Sequence, residues 1–392
     1  MTGPDPHLPP PSARGLVAWS LAAVAFPAGL VWWLSGQVPP DPLPDLPWPA
    51  VGWQAADALP ELPEVRTRRG LQAGVERLAR SGEGRSPGYD LRIAAGASAA
   101  ELLDGEGRVV HRWQAERDRF GVPGGPNPQF GAFRAARVAP DGGLYVLVEG
   151  VGLVALDRSG ALAWKAVPMA HDHLEVLPSG HLRVLASVPT QIPELVRIRV
   201  YGVDHVVELT PAGEEVGRID LLRVYRGSAV DWHVGEDVAS PFDAVWFETG
   251  ADGSVAVALR QREAIAVIGP DGLTLSREER GPWKRLAAFA TLPDGGRLAL
   301  DHGRDDSALL RLGPDGAEQS RHALGLRFDR VAPGAVQLLP DGHAVVAAGA
   351  VRELDAAGAV VFAVDSPDTP PVALVQHLRL PPDCCAWLGE GE

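Results

Sequence analysis

Cysteine is almost missing from this sequence. The 392 residues include two, Cys384 and Cys385, adjacent and near the C-terminus. Disulfide geometry is strict and immediate neighbours rarely satisfy it, so neither a disulfide framework nor a cysteine metal site is expected. Basic residues are outnumbered, with 36 Lys and Arg against 50 Asp and Glu, a net charge of −14. That balance repels nucleic acid and anionic lipid, and no nucleic-acid partner is expected. Gly-rich phosphate loops, Cys-x-x-Cys pairs, His-Glu-x-x-His helices and Gly-x-Ser-x-Gly elbows are all absent, so no motif calls for a cofactor. Glycine (45) and proline (36) are plentiful, which favours turns and argues against a long-helix protein.

One stretch lacks charge entirely. Gly15 to Gly36 reads GLVAWSLAAVAFPAGLVWWLSG, and the next charge is Asp41. At about 1.5 Å per residue such a helix spans roughly 30 Å, the thickness of a bilayer core. Trp19, Trp32 and Trp33 lie towards its ends, as in an aromatic belt. A cleaved signal peptide and a buried core helix are the alternatives; the length exceeds a usual signal segment and no small-x-small site follows. The sequence therefore predicts a cytoplasmic tail over 1–14, a transmembrane helix over 15–36, and the remainder on the extracytoplasmic side, with Arg14 marking the inner end. Residues 37–84 follow as a Pro-rich linker with a short helix over Val65–Ser81, where Leu71, Val75 and Leu78 recur at helical spacing.

From Tyr89 onward the period of apolar residues changes to two. Two turn series interleave. One places Pro-x-Gly or Asp-Gly between strongly apolar strands, as in LEVLPSGHLRVLA from Leu174 and FATLPDGGRLALD from Phe289. The other is less apolar, as in VALDRSGALAWK from Val154 and LRLGPDGAEQSR from Leu310. Both are hairpin signals. Paired hairpins repeating every ~40–60 residues are the mark of a β-propeller of four-stranded blades. Five blades are complete in sequence. A sixth begins with a strand at Tyr89–Ala94 and a hairpin at Glu101–Trp113, and lacks one strand, which Val372–Leu380 can supply. The expectation is an all-β, six-bladed β-propeller over 85–392; a pair of β-sandwiches leaves the alternation of turn classes unexplained.

In a propeller the first strand of each blade lines the central channel. His171-Asp172-His173, the densest knot of ionisable side chains, comes just before Leu174 and is placed in a loop at a channel mouth. The loop from Asp231 adds His233, Glu236 and Asp237, and Arg260 ends a nearby strand, with Glu263 or Asp237 as its simplest partner. His302 ends a strand that starts near the channel, while the other histidines read as structural or solvated.

The runs LLDGEGRVVHRW, GLVALDRSGALAWK, HDHLEVLPSGHLRVLA, DWHVGEDV, ALRQREAIAVIGPDG and GPWKRLAAFATLPDG, in that order, resemble the arylsulfotransferase family from about Tyr89 to Trp387. The resemblance implies a six-bladed propeller, often membrane-anchored or exported, that moves a sulfuryl group from an aryl sulfate to a phenol without a nucleotide donor. It implies a histidine nucleophile, with further His and Arg side chains on the sulfate. His171 matches the first residue of the family's His-His-Asp; Asp172 and His173 are exchanged relative to it. His233 matches a second histidine, with Gly235 where Asn is expected, and Arg260 matches the family's arginine. Gly281-Pro282-Trp283-Lys284-Arg285-Leu286 leads to the nucleophile's position, and there Ala287 stands. A methyl group cannot attack sulfur.

The expected roles are catalytic for His171, His233 and Arg260, and substrate-binding for Asp172, His173 and Arg285. Three functions compete: a catalytically degenerate propeller binding an anion such as an aryl sulfate, or an unidentified protein partner; an active sulfotransferase using His302, His171 or His173; and a metal enzyme drawing on His171, His173, His233 and an acid of the Asp231 loop.

Overall fold

The computed structural model describes residues 88–94, 96–105, 107–115, 117–120, 130–192, 200–232, 240–303, 307–324, 334–348, 350–364 and 372–378. The expected tail, transmembrane helix, linker and short helix over 1–84, together with His233 and the cysteines, lie outside them. Among the described residues no helix is long and apolar enough to cross a membrane.

Among the described residues, twenty-four strands form six four-stranded antiparallel sheets. Blade 1 contains β1 (Tyr89–Ala94), β2 (Ala99–Leu103) and β3 (Val109–Gln114), and blade 2 runs β4 (Phe133–Val138), β5 (Leu144–Val148), β6 (Gly152–Leu156), β7 (Leu162–Ala166). Blade 3 is β8 (Ala170–Val176), β9 (Leu182–Gln191), β10 (Val200–Leu209), β11 (Glu215–Asp220), and blade 4 is β12 (Ala244–Thr249), β13 (Val255–Leu259), β14 (Ala264–Ile268), β15 (Leu275–Arg280). Blade 5 is β16 (Leu286–Thr291), β17 (Arg297–His302), β18 (Ser307–Leu312), β19 (Glu318–Ala323), and blade 6 is β20 (Ala335–Leu338), β21 (Ala344–Ala347), β22 (Val351–Leu354), β23 (Val360–Val364). The last strand, β24 (Val372–Leu378), returns to blade 1 as its innermost member and pairs with β1, Tyr89 against Leu378 and Leu91 against Gln376. Closure by both ends of the chain removes the open sheet edge, as the sequence led us to expect.

The local chemistry explains the hairpins. In Leu177-Pro178-Ser179-Gly180, the Gly180 N–H donates to Leu177 O at 2.8 Å and Gly180 has φ +82°, a left-handed conformation that glycine adopts without strain. Burial follows strand position. β5, β6, β13 and β14 are buried at every residue, whereas the outer strands β7, β11, β15 and β19 contain no fully buried residue. That is why the first turn series is more apolar than the second. The innermost strands β24, β4, β8, β12, β16 and β20 contact one another in a ring.

Two departures from this pattern matter for the site. The β9–β10 hairpin has ten residues per strand, where most other strands have four to six. A short helix, α1 (Leu221–Arg226), follows β11; Asp220 caps it by accepting the Arg223 N–H, and Leu221, Leu222, Val224 and Tyr225 join one buried cluster with Phe242 and Phe247, Tyr225 and Phe242 with ring centroids 5.0 Å apart. The period-two reading of this region missed α1.

Candidate functional site

At their first residues, five innermost strands carry a β-bulge: at Arg134 in β4, at Asp172 and His173 in β8, at Val245 in β12, at Ala287 in β16 and at Ala373 in β24. A bulge re-aims side chains and increases local twist. His171-Asp172-His173 therefore lies within strand β8, and the loop placement is corrected. The doubled bulge leaves the His171 and Asp172 side chains against each other and turns His173 away from them.

His171 sits between two carboxylates. Its Nδ1 is 3.1 Å from Asp172 Oδ2, and its Nε2 is 3.4 Å from Asp204 Oδ1, an ion-pair contact short of an aligned hydrogen bond. Burial works against a charge on the ring, and the two carboxylates outweigh it, raising the imidazole to about 10. Asp204 is itself 2% exposed and is fixed by Ser240 Oγ at 3.0 Å and by the Ala244 N–H at 2.9 Å. The long β9–β10 hairpin carries Asp204, which pairs with Ser187 in the ladder.

Arg260 opens the 3-10 turn between β13 and β14. Among the described residues it pairs with Asp243, not with the expected Glu263, and Asp237 lies outside them: Nε donates to Oδ2 at 2.7 Å and Nη2 to Oδ1 at 2.9 Å. Burial lowers its basicity, and Asp243 with help from Asp172 and Asp204 raises it further. Asp172 (φ +55°) and Asp243 (φ +51°) both hold left-handed backbones, a conformation Asp tolerates better than most residues. The cluster thus sets Asp172, Asp204 and Asp243 against two cations, His171 and Arg260.

His173 points elsewhere. It is 1% exposed and stacks on Trp246 with ring centroids 3.6 Å apart, while Phe247 meets it edge-on at 4.9 Å. Burial first, and the charge of Arg137 second, hold its imidazole well below the ordinary range, so it is neutral. Arg285 is half-buried in blade 5; its N–H and that of Lys284 donate to Asp301 Oδ1 at 2.8 and 3.0 Å. Ala287 is 5% exposed on the β16 bulge. His302 is buried, with Nδ1 2.8 Å from Ser307 Oγ. Of the Asp231 loop, the Asp231 carbonyl accepts from Arg262 Nη2 at 2.9 Å, and His233, Glu236 and Asp237 lie outside the described residues. Among the described residues no group of three or more His, Cys, Asp or Glu is arranged to hold a metal ion.

The structure thus unites His171, Asp172 and Arg260 and adds Asp204, Asp243 and Ser240, which the sequence reading missed. The signal for Asp204 was present: an Asp-His pair in the middle of the largely apolar run VYGVDHVVEL.

No protein-family model matches the chain, and no curated protein matches it. Solved structures do. A protein of unknown function from Bacteroides caccae aligns with a TM-score of 0.52 at 14% identity, covering 75% of this chain and 100% of that one. A streptogramin B lyase aligns at 0.44 and 12% identity, covering 75% and 86%. The dihydro-heme d1 dehydrogenase NirN, in complex with DHE, aligns at 0.37 and 15% identity, covering 79% and 62%. Identities this low show the fold alone, and that fold is an all-β six-bladed propeller.

Proposed function

We propose that this chain is a membrane-anchored, arylsulfotransferase-like propeller that has lost the transfer step and binds a small organic anion at the mouth around His171 and Arg260. The anchor is the uncharged stretch 15–36, with the propeller on the extracytoplasmic side. The observation that carries the reading is the state of His171. An imidazolium held between Asp172 and Asp204 has no lone pair to offer sulfur or to accept a proton. The other two histidines offered as replacement nucleophiles are no better placed. His173 is neutral but sealed against Trp246, and His302 is buried against Ser307. Ala287 supplies no nucleophile.

Binding remains available to the same groups. The side chains of His171 and Arg260 are 27% and 29% exposed, and that of Asp172 is 32% exposed. Asp204 and Asp243 are fixed by the protein, whereas the only side-chain hydrogen bond of Asp172 among the described residues goes to His171. Asp172 occupies the position on His171 that a ligand's sulfate or carboxylate takes by exchange, with charge-assisted hydrogen bonds replacing charge-assisted hydrogen bonds.

Calorimetry with 4-nitrophenyl sulfate tests this. Asp172→Gly keeps the left-handed backbone and removes the competing carboxylate, so it tightens binding, while Arg260→Ala abolishes it. Equal heats from the parent and Arg260→Ala overturn the reading.

A further inference from the structure

The mouth is not the only polar constellation in the channel. One position recurs on the innermost strands, two residues before the turn that closes each hairpin: Arg137 on β4, Glu175 on β8, Glu248 on β12, Ala290 on β16 and Gln337 on β20. β24 contributes Gln376. All six residues line one cavity of about 290 Å³ on the channel axis, with His173 and Trp246 beside them. The site lies towards the far ends of these strands, roughly 10–13 Å along β8 from His171 at about 3.3 Å per residue.

Three buried polar atoms in this cavity have no hydrogen-bond partner among the described residues: His173 Nδ1, Trp246 Nε1 and Gln376 Oε1. His173 and Trp246 are 1% and 6% exposed. Orphaned groups of this kind are rare in folded proteins, because a buried polar group that loses water and gains no partner destabilises the fold. Here three gather around one space. Arg137 is also under-used: among the described residues its guanidinium donates only to the carbonyl of its neighbour Ala136, at 2.9 Å.

The set defines a complementary molecule. Arg137 and the Trp246 N–H call for an anionic acceptor. Gln376 Oε1 and the carboxyl groups of Glu175 and Glu248 call for a donor, best a cationic one. A volume of about 290 Å³ is at the small end of the ~300–1,000 Å³ range for ligand pockets, so the molecule is a small metabolite. A hexose seeking an open aromatic face finds the indole of Trp246 covered by His173. We infer that this channel cavity binds a small zwitterion of the α-amino acid class, its carboxylate on Arg137 and its ammonium among Glu175, Glu248 and Gln376. A wider cavity of about 610 Å³ between blades 4 and 5 shares Glu175, Glu248 and Thr291 with it.

The site is independent of the mouth, and the test separates the two. Full-length protein in detergent is titrated with the standard L-amino acids, followed by thermal shift and calorimetry. At least one free amino acid binds saturably, and its N-acetyl and amide derivatives bind at least tenfold more weakly. Arg137→Met weakens binding by roughly 10–100-fold, the loss expected for a charged hydrogen-bonding partner, and Arg260→Ala leaves it unchanged. If Arg137→Met does not fold, Gln376→Leu serves, with a smaller loss. Absence of binding by every free amino acid overturns the inference and leaves a water-filled channel. So does equal binding of the blocked derivatives, or of the channel variant that folds.

Discussion

His171 Nδ1 and Asp172 Oδ2 meet at 3.1 Å although the two residues are adjacent in the chain. In a regular strand, neighbours point to opposite faces. The bulge in β8 and the left-handed backbone of Asp172 bring both side chains to one side, where Asp204 closes the other edge of the ring. The strand is bent so that an acid holds its own neighbour charged. This geometry turns a candidate nucleophile into a fixed cation.

That cation has a pH signature. The His171 pKa rises from 6.5 to about 10 on folding. A raised histidine adds stability that is complete below 6.5 and fades as pH climbs through about 10. Thermal melts from pH 6 to 10 should therefore show a decline in the parent that is shallower in His171→Gln. The variant should also lose about 1.5–3 kcal/mol at neutral pH, the scale of charged hydrogen bonds. Parallel curves would show that His171 titrates alike in both states.

Glu175 acts in the same direction over a lower pH window. Burial first, against hydrogen bonding from Thr249 and the charge of Arg137, raises it from 4.5 to about 7. A raised carboxyl stabilises the fold most below 4.5, and that contribution is lost as pH rises to about 7. Glu175→Gln should remove this fall, read by urea denaturation at pH 5 and pH 8.

Thr249 ties blade 4 to blade 3. Its hydroxyl accepts from Arg183 Nη1 at 3.1 Å and donates to Glu175 Oε2 at 2.8 Å. Thr249→Val keeps the shape and deletes both bonds. It should cost about 1–3 kcal/mol in chemical denaturation, since partly buried partners are left unsatisfied. A change within error would show that water replaces the hydroxyl without loss.

Ring closure is the largest local effect. Ending the chain after Asp365 removes β24 and its pairing along the whole of β1. The truncated protein should associate through the bared edge or lose its cooperative melt; a monomer that melts like the parent would show another means of closure.

The fold was legible because its signals are local and repeated. Pro-x-Gly turns at a steady spacing give the blade count, and the unpartnered hairpin at Glu101–Trp113 requires a closing strand. The site was legible only where it lies on that repeat: His171 and Asp172 stand at the start of an innermost strand. Asp204 and Asp243 come to them from a third strand and a loop, through the overlong β9–β10 hairpin and the fold of blade 4. Nothing in local spacing reports such meetings. The helix α1 was missed for the opposite reason, because its six residues are too few to break the surrounding period of two.

Binding without transfer is tested by turnover. Purified full-length protein is incubated with 4-nitrophenyl sulfate and excess phenol, and nitrophenol release is followed alongside a heat-killed control. The expected result is no release above the control, with the same preparation binding the sulfate ester in calorimetry. Sustained release that disappears in His171→Gln would contradict the claim and make His171 a working catalytic group.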